Sequence, residues 1–396
     1  MKEGWEYKTF KDQFSINMGK TPPRGDSSSW DKSKITTNKW VSIADISLNE
    51  GKIIFDTKEY ISDKAAEKIK KVKAGSLLMS FKLTIGKMAF AGDDLFTNEA
   101  IIAIPQNEDY DLHFLYYYLL QYDWRTLTEG NEKVKGATLN KQSIGKIQLP
   151  IIPIDEQRRI VSYLDSSFKL IDEIKNKALK SLTEAKALFQ SALAEAMEPK
   201  EGWEEKTLGE IATEMYRGSG IKRDQITPIG FPCLRYGEIY TTYNYSFSEC
   251  ISHTNESIIS PKKYFEKGDI LFAITGESVE DIGKCIAYTG KEKCLLGGDI
   301  VAMKHNQYPQ FLAYALSTKE AIRQKGLGKV KLKVVHTNIP ALKTIRIYLP
   351  NISTQKQIVS RIDKLSSKVR DIEEKYQKMV EECDALKQAM LRDVFE

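Results

Sequence analysis

The triplet Gly19-Lys20-Thr21 carries the residue types that close a phosphate-binding loop. Such a loop needs a second glycine five residues earlier, so that successive amides can turn toward a phosphate, and a helix directly after it. Position 14 is Phe14, and Pro22-Pro23 follows the triplet and forbids that helix. Nucleotide chemistry is therefore not expected. Asp155, Glu173 and Lys175 are the residue types of a metal-dependent nuclease, where carboxylates and a lysine converge on a divalent ion and its water. Their spacing strings them along one charged helix instead, where alternating charge serves solubility. The cysteines (Cys233, Cys250, Cys285, Cys294, Cys383) show no C-x-x-C spacing, and the histidines (His113, His253, His305, His336) form no ligand pair. Neither a disulfide framework nor a structural zinc site is expected. G-x-S-x-G is absent, as is a glycine-rich S-adenosylmethionine loop with an Asn-Pro-Pro-aromatic motif. No catalytic, cofactor-binding or metal-binding residue can be nominated.

The elements that would position a functional side chain are more legible. The chain has 396 residues, 41% hydrophobic and 29% charged, an ordinary globular profile too long for one core. No apolar run approaches the roughly 18 residues of a bilayer span. Met1-Lys2-Glu3-Gly4-Trp5-Glu6 lacks an apolar leader, so a cytoplasmic protein is expected. EGWEYKTF at Glu3–Phe10 returns as EGWEEKTL at Glu201–Leu208, and QRRIVSYLD at Gln157–Asp165 returns as QKQIVSRID at Gln355–Asp363. Both blocks are displaced by 198 positions, which identifies an internal duplication. Between the blocks the match is looser. Trp40–Ile46 answers to Phe231–Ile239, Lys73-Ala74-Gly75 to Lys267-Gly268, and Ile85-Gly86-Lys87 to Ile282-Gly283-Lys284.

Each half opens with about 150 residues of short mixed segments and closes in one long helix. In the second helix Ile358, Ile362, Leu365, Val369, Ile372, Tyr376, Met379, Cys383, Leu386 and Met390 keep a four-three heptad spacing, which predicts a coiled coil. The same register in the first helix gives Ile160, Leu164, Ser167, Ile171, Ile174, Ala178, Ser181, Ala185, Leu188 and Ala192. Large side chains on one helix answer small ones on the other, so the two are expected to pair as rods of about 60 Å. The pair's core is expected at Ile160, Leu164, Ile171, Ile174 and Leu188, and at Ile358, Ile362, Leu365, Val369, Ile372, Met379, Leu386 and Met390. Net charge is +5. Residues 155–199 hold seven Lys/Arg against eight Asp/Glu, and residues 353–396 hold nine of each, so the positive excess sits on the globular parts. That placement suits nucleic-acid contact.

The repeated Gly-Trp-Glu at Trp5 and Trp203 comes with Met18-Gly-Lys-Thr-Pro-Pro-Arg24 and with Gly230-Phe-Pro-Cys-Leu-Arg-Tyr-Gly-Glu-Ile-Tyr240. Leu-Pro…Gln…Ile-Val junctions follow at Pro150–Val161 and Pro350–Val359. In this order, duplicated and followed by long helices, the features resemble the specificity subunit of type I restriction–modification systems over essentially the whole chain. The resemblance implies an α+β fold of two globular mixed α/β target recognition domains joined by two long antiparallel coiled-coil-like helices. The implied domains are 1–152 and 200–351 for target recognition, with spacer helices at 153–199 and 352–396. It also implies a chain without catalysis of its own. Each recognition domain would read one half of a bipartite, asymmetric site in double-stranded DNA, and the helices would set the spacing and dock two methyltransferase subunits. A restriction subunit, with motor and nuclease, joins the larger assembly. S-adenosylmethionine, Mg and ATP belong to those partners, and no cofactor to this chain. The second opening, Tyr216-Arg-Gly-Ser-Gly-Ile-Lys-Arg-Asp224, departs from Gly-Lys-Thr-Pro and puts the position of its DNA loop in question.

Lysine and arginine for phosphates, with hydroxyl, amide and guanidinium groups for base edges, define the candidate DNA contacts. In the first domain these are Lys20, Thr21 and Arg24, Lys82 and Thr84 in the turn after Phe81, and Lys133 and Lys135. In the second they are Arg217, Ser219, Lys222 and Arg223, then Arg235, Tyr236, Thr275, Glu277 and Ser278, and Lys329, Lys331 and His336. Tyr236, Tyr240, Tyr243 and Tyr245 could stack on a base, but core packing is the expected use. Two other classes compete: a paired-helix assembly scaffold whose globular parts bind protein, and a nuclease concealed in those parts.

Overall fold

The computed structural model describes residues 2–127, 135–328 and 334–396, with the backbone alone at 135–138. Two compact units emerge. One is Met1–Lys177 with Met379–Glu396, and the other is Ala178–Lys378.

In the first unit Glu6–Thr9 pairs antiparallel with Gln148–Ile151. A five-stranded sheet follows in the order Asn17–Met18, Ile101–Ile104, Leu77–Ser80, Met88–Ala91, Ile53–Ile54. Its central strands read as continuous apolar runs because both faces are covered, and every residue of Leu77–Ser80 and Met88–Ala91 is buried. Leu77 and Met79 face the core shared with the helix Leu112–Leu120, while Leu78 faces a second cluster with Val41 and Ile46. A smaller sheet orders Glu59–Tyr60, Lys39–Val41 and Phe96–Thr97, and a ribbon pairs Lys82–Thr84 with Lys135–Thr138.

The second unit repeats this plan. Glu204–Thr207 pairs with Arg346–Leu349. A five-stranded sheet runs Ala212–Arg217, Ile300–His305, Ile270–Ala273, Cys285–Tyr288, Ser246–Phe247. Here the smaller sheet has grown to five strands through Ile226–Thr227 and Tyr264–Phe265, and the ribbon pairs Thr275–Gly276 with Val335–His336. The extra strands lie where the two halves of the sequence drift out of register.

The motifs that announced the duplication hold the fold together. Gln157 is fully buried; its amide donates to the Asp109 and Ile152 carbonyls and its carbonyl accepts from the Asp111 amide. Gln355 does the same with the Pro350 carbonyl, the Gln307 side chain and the Tyr308 amide. Tyr117 donates to Asp165 and Tyr314 to Asp363, at 2.5 and 2.6 Å. Trp5 packs on Phe114 and Trp203 on Phe311, with ring centroids 6.2 Å apart in both.

The long helices span Ile154–Ala196 and Ile352–Phe395. In the first unit they run antiparallel: Lys175 pairs with Asp384, and three residues back Asp172 pairs with Lys387 three residues on, both at 2.6 Å. Leu164, Ile171, Ala178 and Ala185 are buried at seven-residue intervals. Ile362, Val369 and Cys383 continue the rule on the other helix. The expected core needs correction at four positions. Ile174, Leu188, Ile372 and Leu386 are 49%, 63%, 40% and 51% exposed. A four-three spacing can be laid on either side of a seven-residue row, and the helix buries Val359, Ser366 and Val394 on the other side. Toward the end of the first helix Phe189 and Leu193 turn inward instead of Leu188. Ile160, Ile358, Leu365 and Met390 are partly buried against the cores of their own units, and Met379 is half-buried.

Candidate nucleic-acid interface

Gly19 has a steric rather than a phosphate-binding purpose. A Cβ there would lie 2.0 Å from the Thr97 carbonyl oxygen, so only glycine lets the loop cross the strand Phe96–Thr97. Gly218 meets the same demand, 2.1 Å from the Gly297 carbonyl. The hydrogen bonds match as well. The Gly19 and Gly218 amides donate to the carbonyls of Ile101 and Ile300, and those of Lys20 and Ser219 to the carbonyls of Thr97 and Leu296. The second opening thus starts in the same place as the first, despite its different sequence. Identity ends at that crossing, and the exposed residues beyond it differ.

In the first unit Lys20 is exposed, and its carbonyl accepts from the Trp40 indole at 3.1 Å. Thr21 donates to Glu99. Burial works against ionisation of Glu99, yet the Thr21 hydroxyl and the Lys82 charge hold its carboxyl below the usual range. Thr21, Glu99 and Lys82 therefore form one neighbourhood. Arg24 is gripped from two sides. Its guanidinium carbon lies 4.2 and 4.9 Å from the rings of Trp30 and Trp40, and its Nη2 reaches Glu59 at 3.1 Å. A planar cation fixed by stacking and by a carboxylate fork keeps free N–H groups in one orientation. Arg24 and Trp30 border an open cleft of about 530 Å³ with Lys32, Lys34 and Lys58. Lys82 and exposed Thr84 lie on the ribbon strand opposite Lys135–Thr138, with Thr84 across from Lys135. The side chain of Lys135 and the whole of Lys133 lie outside the described residues.

In the second unit Arg217 is anchored on Asp299 at 2.7 Å and on the Gly298 carbonyl. Ser219 departs from expectation: it is 5% exposed and its hydroxyl donates to the Pro261 carbonyl, so it secures the loop instead of facing solvent. Lys222 and Arg223 are exposed. Arg235 precedes the short helix Tyr236–Thr241, where Tyr236 is 39% exposed. Glu238 caps that helix through the Arg235 amide, as Asp45 does through Ser42 in the first unit. Thr275 and His336 face each other across the ribbon, Oγ1 to Nδ1 at 3.1 Å. Glu277 is exposed nearby, and Ser278 donates to Asp281 at 2.7 Å. Tyr240 and Tyr243 pack against the cluster around Ile239 and Phe247, and Tyr245 against Phe189 and Tyr314. Lys329 and Lys331 lie outside the described residues.

Sequence reasoning missed Trp30, Glu59 and Glu99, the groups that orient Arg24 and Thr21. Glu59 and Glu99 lie 35 and 78 residues from the groups they hold, Trp30 comes from the same loop as Arg24, and no spacing rule connects them. Among the described residues no cluster of His, Cys, Asp and Glu could hold a metal ion, and no helix is long and apolar enough to cross a membrane.

Two copies of one α+β scaffold, each presenting a differently sequenced basic and polar loop set, define a duplicated recognition protein. The comparisons specify it further. The family model for the type I restriction modification DNA specificity domain matches residues 2–184 and again 200–382. The chain belongs to that family. It is 22% identical over 361 residues to the type I restriction enzyme MjaVIII specificity subunit of Methanocaldococcus jannaschii, covering 84% of each chain. It is 24% identical over 296 residues to the EcoKI specificity subunit of Escherichia coli K12, covering 66% of this chain and 60% of that one. Among solved structures, a chain from a study of complex assembly and conformational transition in a type I R-M system superimposes with a TM-score of 0.75 at 18% identity, covering 100% and 98%. The HsdS subunit from Thermoanaerobacter tengcongensis gives 0.53 at 17% identity, covering 100% and 97%.

Proposed function

We propose that this chain is the non-catalytic DNA sequence-recognition subunit of a type I restriction–modification complex, each globular part reading one half of a bipartite, asymmetric target. The observation that carries the reading is the pair of loop openings at Gly19 and Gly218. Identical backbone crossings lead into different exposed residues, as expected of one scaffold reading two different half-sites. The family match over both halves supports it. Lys20, Arg24, Lys82, Thr84, Arg217, Lys222, Arg223, Tyr236 and Thr275 are the proposed DNA-facing side chains, with lysines on phosphates and the N–H groups that Arg24 and Arg217 do not spend on their anchors, together with Arg223, for guanine edges.

The paired helices act as the spacer between the readers and as the dock for two methyltransferase subunits. A restriction subunit completes the assembly, which works in the cytoplasm. S-adenosylmethionine serves the modification subunits, and Mg and ATP the restriction subunit.

The test is methylation mapping at single-base resolution, with the modification subunits alone and together with this chain. Methylation should occur only with the chain present, at two short motifs separated by a constant run of unread bases. Methylation or cleavage by this chain alone would overturn the reading, as would modification without sequence preference.

A further inference from the structure

A cleft of about 250 Å³ lies beside the first loop, lined by Asn17, Gly19, Lys70 and Lys71 among others. The second unit has one of about 280 Å³, lined by Tyr216, Lys262, Lys263 and Lys293 among others. The two clefts occupy the same place in the two copies. Each lies between the outermost strand of a five-stranded sheet, the end of its neighbour and the lysine-bearing segment before the central strand. The registers agree: Asn17 stands opposite Ala103, and Tyr216 opposite Ala302. In both copies the lysine segment runs into a positive-φ glycine, Gly75 or Gly268, which places Lys70 and Lys263 at equal distance from it.

The sequences of the clefts have diverged, and the second is also lined by Glu214 and Glu266, yet lysines outnumber carboxylates in both. Lys73 is neutralised by Asp94 at 2.8 Å in the first. In the second the polarity is reversed, with Glu266 where Lys73 stood and Lys293 where Asp94 stood, and Glu266 ties up Lys304. Lys70, Lys71, Lys263 and Lys293 form no ion pair among the described residues. Neutral groups steady all four, Lys71 lying 5.8 Å from the Phe96 ring. Lys70 donates to Asn17 at 2.7 Å, Lys263 lies 5.9 Å from the Tyr216 ring, and Lys293 lies 4.2 Å from the Tyr264 ring. Thr97, lining the first cleft, is 1% exposed and its hydroxyl oxygen has no hydrogen-bond partner among the described residues. Compact ammonium charges beside a hydroxyl suit a phosphate oxygen; among the described lining residues the one side-chain amide, Asn17, is spent on Ser15 and Lys70, and there is no guanidinium fork for a base edge.

We propose that the two clefts are paired phosphate seats, each holding a backbone phosphodiester of duplex DNA beside its reading loop. The inference rests on the DNA-reading role proposed for the chain and adds to it the groups that set register without reading sequence. Lys70 and Lys71 serve the first half-site, and Lys263 and Lys293 the second.

The experiment uses the full chain assembled with modification subunits and a duplex carrying the mapped site, with affinity measured by fluorescence anisotropy across a salt series. Lys70→Gln with Lys71→Gln, Lys263→Gln with Lys293→Gln, and all four together are compared with Lys8→Gln, an exposed lysine on the strand Glu6–Thr9. Each pair should weaken binding and flatten the slope of log affinity against log salt by about 0.9 for every phosphate no longer neutralised. The methylated sequence should stay the same, and the Lys8 variant should match the parent. A parental slope retained in the fourfold variant, with unchanged thermal unfolding, overturns the phosphate seats and leaves the DNA reading standing. A changed methylation sequence also overturns them, since the lysines would then be reading bases. Parental protein that binds duplex DNA at no salt concentration defeats both.

Discussion

His305 ends the strand Ile300–His305 with its imidazole mostly buried, and its Nδ1 accepts the Gln307 amide at 3.0 Å. Burial pushes its pKa down from 6.5 to about 4. The unfolded chain therefore binds a proton between about pH 6.5 and 4 that the folded chain refuses. Stability from this group is fully present above pH 6.5 and falls as the pH drops toward 4, by on the order of 3 kcal/mol. Urea unfolding from pH 7.5 to 4.5 should show this loss in the parent and a slope smaller by up to about 1.4 kcal/mol per pH unit in His305→Gln. Parallel slopes would assign the acid sensitivity to other groups. The repeated glutamines illustrate another residue-scale rule. Gln157 and Gln355 recur because each satisfies three backbone or amide groups where a long helix begins, and a buried unpaired amide costs about 1–3 kcal/mol.

At the scale of elements, the long helices were readable and their facing was not. Apolar residues at seven-residue intervals identify a helix pair, but the second row of contacts depends on which flank meets the partner. Here Tyr117 and Tyr314 reach the helices at Asp165 and Asp363, and the globular parts share in burying the seam. Ile362 is 4% exposed and Ile372 40%. Ile362→Ala should cost about 2–4 kcal/mol in chemical denaturation, and Ile372→Ala less than about 1. Equal losses would restore the four-three register read from the sequence. The reading loops were legible only as candidates. Lys20 and Arg24 stood out by type, whereas Ser219 looked like a surface hydroxyl and is buried under Pro261. Nothing local distinguishes the two cases.

For the whole molecule the duplication is the governing fact. Because each unit has its own sheets and its own core, the two readers can diverge separately, and the second has added strands to its smaller sheet without disturbing the larger. Replacing residues 200–351 with the corresponding part of another family member should change one half of the methylated motif and leave the other half as it was. Methylation mapping checks this directly, and a change in both halves would contradict independent readers.

The sequence by itself determined the duplication, the order of globular part and helix, and the family. Each is written in local or repeated patterns: seven-residue spacing, Gly-Trp-Glu, and a glutamine three residues before Ile-Val. Only the tertiary structure decided which side chains face solvent, that Gly218 replaces Gly19, and that two sets of lysines with little sequence likeness line equivalent clefts. The physical reason is that exposure and charge pairing belong to neighbours brought together by folding.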